Sequence, residues 1–248
     1  MMLILLIVDT VGTCMIVYEY SRPGRNWPAV RGWWLRAILF SGFQVFSVWF
    51  AGVAWDGWLV RHRFFSSALL GTYGEAFLGY FAITFFFYWW HRWRHASPFL
   101  WRWVHQIHHS PQRIEVITSF YKHPFEVLLD SLFMSAILYF GVGAEPRSAA
   151  GAVMLSGLAE LVYHWNVKTP HWLGYIFQRP ESHCIHHQQG IHAFNYSDLP
   201  IWDMLFGTYR NPLEWEGRCG FGPAGEFRLA EMLRGVDIHQ TDIPKVDA

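Results

Sequence analysis

Long apolar stretches alternate with short polar segments along this chain. A helix that spans a hydrocarbon core about 30 Å thick needs roughly 20 apolar residues. The stretch 37–55 has no charged residue and 65–90 has only Glu75, so both are predicted to span a membrane. The stretches 2–19, 125–144 and 148–167 each contain acidic residues and are predicted to span or re-enter the bilayer. The pattern predicts an all-α integral membrane bundle of four to five spanning or re-entrant helices, rather than a soluble all-α domain.

Composition supports a membrane protein and excludes several other classes. The chain is 52% hydrophobic and only 15% charged, whereas soluble domains carry about 25% charged residues. Its formal net charge is zero, so nucleic acid is not an expected partner. The three cysteines contain no Cys-x-x-Cys pair, which argues against a disulfide framework or a zinc ribbon.

Basic residues predict which segments share one side of the membrane. They cluster in two segments, 20–36 and 91–124, and positive loops stay cytoplasmic. If 125–144 and 148–167 return the chain as a hairpin, residues 168–248 lie on that side too. Because Arg greatly outnumbers Lys, a bacterial cytoplasmic membrane is the expected location, with the polar segments on its cytoplasmic face.

Three histidine runs lie in those cytoplasmic segments: His91-Arg-Trp-Arg-His95, His105-Gln-Ile-His-His109 and His183-Cys-Ile-His-His187. Residues at i, i+3 and i+4 share one face of a helix, so each run presents two or three rings on one side. The 65–90 helix is predicted to continue through the first run and to end at Ser97-Pro98. A second helix is predicted from 99 or 100 to Ser110, and a third after Arg179-Pro180, with Ser182 near its cap.

Eight imidazoles exceed the three or four protein ligands of a single zinc site, so two metal ions are the economical interpretation. Imidazole alone does not identify the metal. The sequence has no Glu-x-x-His pair of the ferritin-like di-iron type and no His-Glu-x-x-His motif. An all-histidine dimetal site beside a bilayer suits activation of dioxygen against a lipid chain.

In their order and spacing, the three runs resemble the fatty acid hydroxylase/sterol desaturase superfamily. His123-Pro124-Phe-Glu126 looks like its His-Pro-x-Glu element, and His164-Trp-Asn166 looks like its His-x-Asn element. Asn195-Tyr196 and Ile201-Trp-Asp-Met-Leu-Phe-Gly-Thr208 look like its closing segment. The resemblance covers about 75–210.

The resemblance implies a non-haem di-iron enzyme that hydroxylates or desaturates a lipid (a sterol, a fatty acid or a related molecule) with O2. The implied metal ligands are His91, His95, His105, His108, His109, His164, His183, His186, His187 and, ranked below them, His123. His123 also suits a structural role at the start of a helix, and His171 is an alternative to complete the set. The chain divides into N-terminal membrane helices (1–64), a hydroxylase-like domain (65–210) and a cytoplasmic tail (211–248).

Electrons are expected from a separate carrier protein, since neither a His-Pro-Gly-Gly haem element nor a Gly-x-Gly-x-x-Gly fingerprint is present. A basic surface comprising Arg92, Arg94, Arg102 and Arg113 would suit an acidic carrier, anionic lipid or simply topology.

Single residues near the motifs have competing interpretations. His171 and His192 are expected to be solvated or hydrogen-bonded rather than metal ligands. Cys184 points off the histidine face of its run. Glu160 either orients His164 or forms an ion pair with an Arg, and Asp203 either supports the site or caps a helix.

Two other functions use the same residues. A bis-histidine haem protein for electron transfer would place isolated axial pairs near mid-bilayer. A histidine-rich metal transporter would place its ligands within the spanning segments, with acidic residues along a path.

Overall fold

The computed structural model describes residues 2–239, with side chains from residue 6 onward, and no strand occurs among them. This confirms the predicted all-α fold. The α-helical elements are α1 Met2–Ser21, α2 Trp33–Arg61, α3 Gly71–Ala96, α4 98–109, α5 Pro124–Val142, α6 Pro146–His164, α7 Pro180–His186, α8 Pro200–Leu205, α9 Gly222–Glu226 and α10 Leu229–Met232. Short 3-10 turns occupy Ala68–Leu70, Val116–Phe120 and His171–Tyr175.

Three segments within the described residues are long and apolar enough to span a membrane: Trp33–Arg61, Ala68–Ala96 and Pro124–Val142. Side chains on α2 such as Leu35 and Leu39 are about two-thirds exposed (66% and 65%), which suits contact with lipid tails in an integral membrane protein. The helices α1 and α6 were also predicted to span or re-enter the bilayer. Whether they cross it, and the total of four to five crossings, stay predictions.

The helix α2 is longer than the apolar pattern indicated. A π-helical turn at Gly52–Asp56 continues the helix to Arg61. The segment between the predicted membrane stretches 37–55 and 65–90 is therefore helical as far as Arg61. The segment that follows lies against the end of α5, where Gly143 adopts a φ of +69° and a Cβ would lie 2.6 Å from the carbonyl oxygen of Phe65. Only glycine fits this turn, because it has a left-handed backbone and no room for a side chain.

Helices α3 and α6 pack closely against each other, and each carries histidines of the site near its end. A Cβ on Gly79 would lie 3.0 Å from the Cβ of Ala152 and 2.7 Å from Leu138. Small residues of this kind allow membrane helices to approach closely. His91 and His95 lie near the end of α3, and His164 is the last residue of α6.

The C-terminal segment packs on the helix that carries the second histidine run. Phe221, Met232 and Ile238 are buried in one cluster with Trp33 and Trp101. The side-chain amide of Gln106 donates to the carbonyl of Val236 (2.9 Å), and its oxygen accepts the N–H of Ile238 (3.2 Å). Residues 240–248 of the predicted tail lie outside the described residues, and the predicted division at 64 and 210 stays a prediction.

Candidate metal centre

The first two histidine runs lie on helical segments that end where the sequence predicted, and the third run lies on α7 and its C-cap residue His187. Helix α3 ends at Ala96, and α4 begins at Pro98, with the hydroxyl of Ser97 accepting the N–H of Leu100. Helix α7 begins at Pro180, because proline at the first helical position is already set to a helical φ. Ser182, which was predicted near the cap, is the third residue of this helix, and Arg179 occupies the N-cap position.

The structure brings nine histidines into two neighbouring groups. In each group, the potential ligand atoms all lie within 4.8 Å of one another. The five-histidine group contains His91, His95, His105, His109 and His186, and the four-histidine group contains His108, His164, His183 and His187. The imidazoles of His109 and His187 stack at 4.2 Å between ring centroids and connect the two groups. Every run contributes to the five-histidine group, and His164 joins the second and third runs in the other.

In the five-histidine group, hydrogen bonds at Nδ1 turn Nε2 towards the centre. The Nδ1–H of His91 donates to the carbonyl of Tyr196 (2.8 Å) and that of His186 to the carbonyl of Phe194 (2.7 Å). The Nδ1–H of His105 donates to the carboxylate of Glu126 (2.7 Å). A ring that carries its proton on Nδ1 has a free lone pair on Nε2. These partners thus select the tautomer that a metal requires.

Two rings of the four-histidine group follow the same rule. His164 donates from Nδ1 to the carbonyl of Glu160 (2.9 Å), and His108 donates to the carbonyl of Tyr121 (3.3 Å). His183 differs, because the amide N–H of Gln178 donates to its Nδ1 at 3.0 Å. Backbone carbonyls, mostly from loops, therefore orient much of the site.

The inward nitrogens are arranged to share a cation. In the five-histidine group, Nε2 of His105 lies 2.9 Å from Nε2 of His91 and 3.1 Å from that of His109. In the other group, Nε2 of His183 lies 3.0 Å from Nε2 of both His164 and His187. Adjacent ligands about 2.1 Å from one ion, at right angles, are about 3.0 Å apart. His91 and His105 both carry their proton on Nδ1, so their Nε2 lone pairs at this separation repel one another unless a cation lies between them. The donor set therefore fits a metal.

Burial keeps these rings ready for metal binding. Desolvation lowers the pKa of His105, His108, His109 and His187 well below the usual value, and lowers the pKa of His186 to about 3. A neutral imidazole is the form that ligates a metal. The Nε2 atom of His186 is buried without a hydrogen-bond partner among the described residues. That orphaned acceptor is a second observation in favour of an ion.

Arg94 is part of the support for the site and not part of a basic surface, which corrects the sequence interpretation. Its side chain is 5% exposed and donates to Glu126 and, at 3.3 Å, to Asp130. Asp130 also accepts the indole N–H of Trp90 (2.7 Å). The pairing with Arg94 could not be predicted from the sequence, because its partners lie more than 30 residues away on a different membrane helix.

The remaining residues with competing interpretations have structural partners. His123 belongs to neither group; its Nδ1 accepts the N–H of Phe125 and caps α5. His171 lies 3.1 Å from the carbonyl of Asn211. His192 is buried with its Nδ1 3.1 Å from Nδ1 of His109, so it contacts a group member without joining either group. Cys184 is buried against Ile114 and Cys219, off the histidine face.

The two carboxylates with alternative roles also have definite contacts. Glu160 orients His164 through its backbone carbonyl, while its carboxylate pairs with Lys122 rather than with an arginine. Asp203 lies inside α8 and accepts the N–H groups of Tyr196 and Ser197 and the hydroxyl of Thr208. It therefore braces the loop whose Tyr196 carbonyl orients His91.

A cavity of about 860 Å³ runs between the membrane helices and reaches both histidine groups. Its wall includes apolar side chains of α2, α5 and α6, such as Val48, Leu138 and Val153. At the histidine end it is lined by His91, His105, His108 and His183. Asp56 and Arg61, at the other end of α2, line the opposite part.

Comparisons with known proteins agree with this geometry. The family model for fatty acid hydroxylases matches residues 76–208, which include all nine grouped histidines. The chain is 30% identical over 142 residues to the sphingolipid C4-hydroxylase sur2 of Schizosaccharomyces pombe, covering 56% of this chain and 48% of that protein. No solved structure matches.

Two further relatives are named for different activities. The very-long-chain aldehyde decarbonylase GL1-9 of Oryza sativa subsp. indica is 32% identical over 127 residues, covering 48% of each chain. The ornithine lipid hydroxylase OlsE of Rhizobium tropici is 31% identical over 150 residues, covering 56% of this chain and 42% of that protein. The chain thus spans about half the length of the curated relatives it matches. Since the family model matches more than half of the chain and both histidine groups lie within the match, the protein belongs to the fatty acid hydroxylase family.

Proposed function

We propose that this protein is a membrane-bound oxidoreductase that uses O2 and two iron ions to hydroxylate or desaturate a lipid. The observation that carries the proposal is the cavity, which joins an apolar space between membrane helices to both histidine groups. An alkyl chain in that space would present a C–H bond to the inward nitrogens without leaving an apolar environment.

The nine grouped histidines are the proposed iron ligands. Five and four donors suit two ions better than one, and imidazole is a common ligand for iron. His123 is not among the proposed ligands, because its Nδ1 is used to cap α5 and it lies in neither group. The family assignment and the nitrogen-only donor set together support iron over zinc, which has no redox chemistry.

When bound, the metal pair would supply the oxidising power that breaks an unactivated C–H bond, which amino acid side chains lack. The protein's own groups hold the ligand rings in one tautomer and exclude bulk water. Hydroxylation consumes one O2, two electrons and two protons for each C–OH bond formed, with one oxygen atom leaving as water. Desaturation has the same overall demand for O2 and electrons.

The two electrons would come from a separate carrier protein on the cytoplasmic face. Arg92 and Arg102 remain partly exposed near the histidine helices, whereas Arg94 is buried. Partly exposed arginines favour an acidic partner. The positive-inside pattern supports a cytoplasmic position for this face, and the arginine-rich composition supports a bacterial membrane.

The activities for which the relatives are named support a lipid substrate. Two are named as hydroxylases of sphingolipid and ornithine lipid, and one as a decarbonylase of very-long-chain aldehydes. A polar lipid with a long alkyl chain is therefore the proposed substrate class. The bis-histidine haem alternative fits less well, because five and four converging nitrogens do not form axial pairs on two sides of a porphyrin.

The test is to express the full chain in a bacterial host under 18O2 and profile the membrane lipids by mass spectrometry. The expected result is a lipid that gains one 18O atom, or loses two hydrogens, only when the chain is present. The His183→Ala variant, at equal protein level, is the control that should lose the product. A Soret band in the purified protein, or tight metal binding without any O2 consumption, would instead support the haem or transporter alternative.

A further inference from the structure

The cavity is not uniformly apolar, because a set of charged groups lines it beside the histidines. Glu126 and Asp130 both accept hydrogen bonds from Arg94, and Glu160 pairs with Lys122. All of these residues line the cavity. Each of these three carboxylates thus has a cationic partner within the protein.

Asp198 also lines the part of the cavity beside the histidines, and it lacks such a partner. Among the side chains described, no ion pair within 4.0 Å includes it. Its hydrogen-bond partners are the hydroxyls of Tyr163 and, at 3.4 Å, Ser156. The cation that affects it most is Lys122, which is already paired with Glu160. Asp198 is half-buried, and a carboxylate that is partly removed from water without a counter-ion is costly in free energy.

Tyr163 connects Asp198 to the metal centre. The Tyr163 ring lies 4.5 Å from the ring of His183 and 4.9 Å from that of His164, both members of the four-histidine group. A lipid group held by Asp198 would therefore lie one side chain away from the proposed irons. The atoms next to that group, rather than a distant part of the chain, would face the metals.

Burial raises the pKa of Asp198 to about 7, so its charged form lacks stabilisation in the absence of a ligand. A cation placed against the carboxylate would restore that stabilisation.

Two further groups along the cavity point to an amphiphilic occupant. The Ser41 hydroxyl and the Gln44 side-chain oxygen line it and are buried without a hydrogen-bond partner among the described residues.

We infer that Asp198 binds the ammonium group of an amine-bearing lipid and holds the carbons beside that amine at the metal centre. The inference rests on the proposed function and narrows its substrate class to lipids with a primary amine. An ammonium supplies the missing counter-ion, and the hydroxyls of Tyr163 and Ser156 complete its polar surroundings. The same chemistry is offered by a free long-chain amino alcohol and by the head group of an aminophospholipid.

Equilibrium binding to the resting, full-length protein in detergent tests this inference without requiring turnover. The probe is tritiated 2-amino-octadecane-1,3-diol, displaced by unlabelled 1-octadecanol or by phosphatidylethanolamine. The amino alcohol is expected to bind at least about tenfold more tightly than octadecanol, and Asp198→Asn is expected to remove about that factor, since each 1.4 kcal/mol is tenfold. Displacement by phosphatidylethanolamine would show that a phospholipid amine also fits. Its failure to displace would assign the site to the free amino alcohol, and either outcome supports an ammonium site.

Two matched variants make the test specific. Glu214→Gln removes an exposed carboxylate outside the cavity and is expected to leave the affinity unchanged, while Asp198→Glu keeps the charge and should retain binding. Metal content measured on every variant checks that the centre is intact. Equal affinity for octadecanol and the amino alcohol, or wild-type binding by Asp198→Asn, would overturn the inference. Because no reductant or O2 is used, that result would leave the proposed oxygenase activity standing.

Discussion

Glu126 accepts a hydrogen bond from Nδ1 of His105 at 2.7 Å, and the same carboxylate oxygen accepts one from Arg94. This contact joins helix α5 to a histidine of the five-histidine group. The carboxylate fixes the His105 tautomer with its free lone pair on Nε2, and Arg94 compensates the buried negative charge. A hydrogen-bonded carboxylate of this kind also makes the ring a stronger metal ligand.

Replacing Glu126 with Gln is therefore expected to weaken metal binding by about 10- to 100-fold, the usual cost of losing such a partner. The measurement is competition of the purified variant with a chelator of known iron affinity. Asp130→Asn is the control, because it removes a carboxylate that contacts Arg94 but not His105. Equal metal affinity in Glu126→Gln and the wild type would show that the contact does not tune the ligand.

The histidine runs could be predicted to meet because their spacing already placed the rings on single helix faces. Their partition into five and four could not, because it depends on how the loops bring α7 against α3 and α4. His164 was found through a motif and not through spacing. Arg94 was misplaced on the surface because a positive-inside pattern cannot distinguish a cation that faces lipid head groups from one that pairs with a carboxylate inside the bundle.

The two groups can be tested separately through His108 and His186, one from each. In either His108→Ala or His186→Ala, iron content is expected to fall from about two per chain to one or fewer, since three or four ligands normally hold one ion. The measurement is iron per chain by plasma emission spectrometry on detergent-purified protein. His62→Ala, an exposed histidine outside both groups, should keep the wild-type content. Unchanged iron in both group variants would refute the ligand assignment.

The cavity predicts a steric block that spares the metal centre. Val153 of α6 lines the cavity, and a Val153→Trp substitution would fill space that an alkyl chain needs. Product formation is expected to fall at least about tenfold, as for the loss of binding worth 1.4 kcal/mol, while iron content stays unchanged. Lipid profiling and iron analysis of the same preparation provide the two measurements. Leu132→Trp adds the same bulk at an exposed position of α5 and should have little effect. If both variants retain full activity, the substrate does not occupy this space.

Metal removal should make the protein sensitive to acid. Because the pKa of His186 is lowered to about 3 by burial, the unfolded chain binds a proton below about pH 6.5 that the folded chain does not. Stability is then present above pH 6.5 and decreases as the pH falls towards 3, by about 2 kcal/mol for this ring between pH 6.5 and 5. The other buried rings act in the same direction.

The measurement is the unfolding midpoint of metal-free protein in detergent, followed by intrinsic fluorescence from pH 7.5 to 5. This midpoint is expected to fall as the pH is lowered. His186→Phe should make the midpoint depend less steeply on pH, because it removes one titrating ring. Metal-loaded protein should lose less over that range, since protons must then compete with the bound ions. A midpoint of the metal-free protein that does not change with pH would contradict the placement of neutral imidazoles in the core of the site.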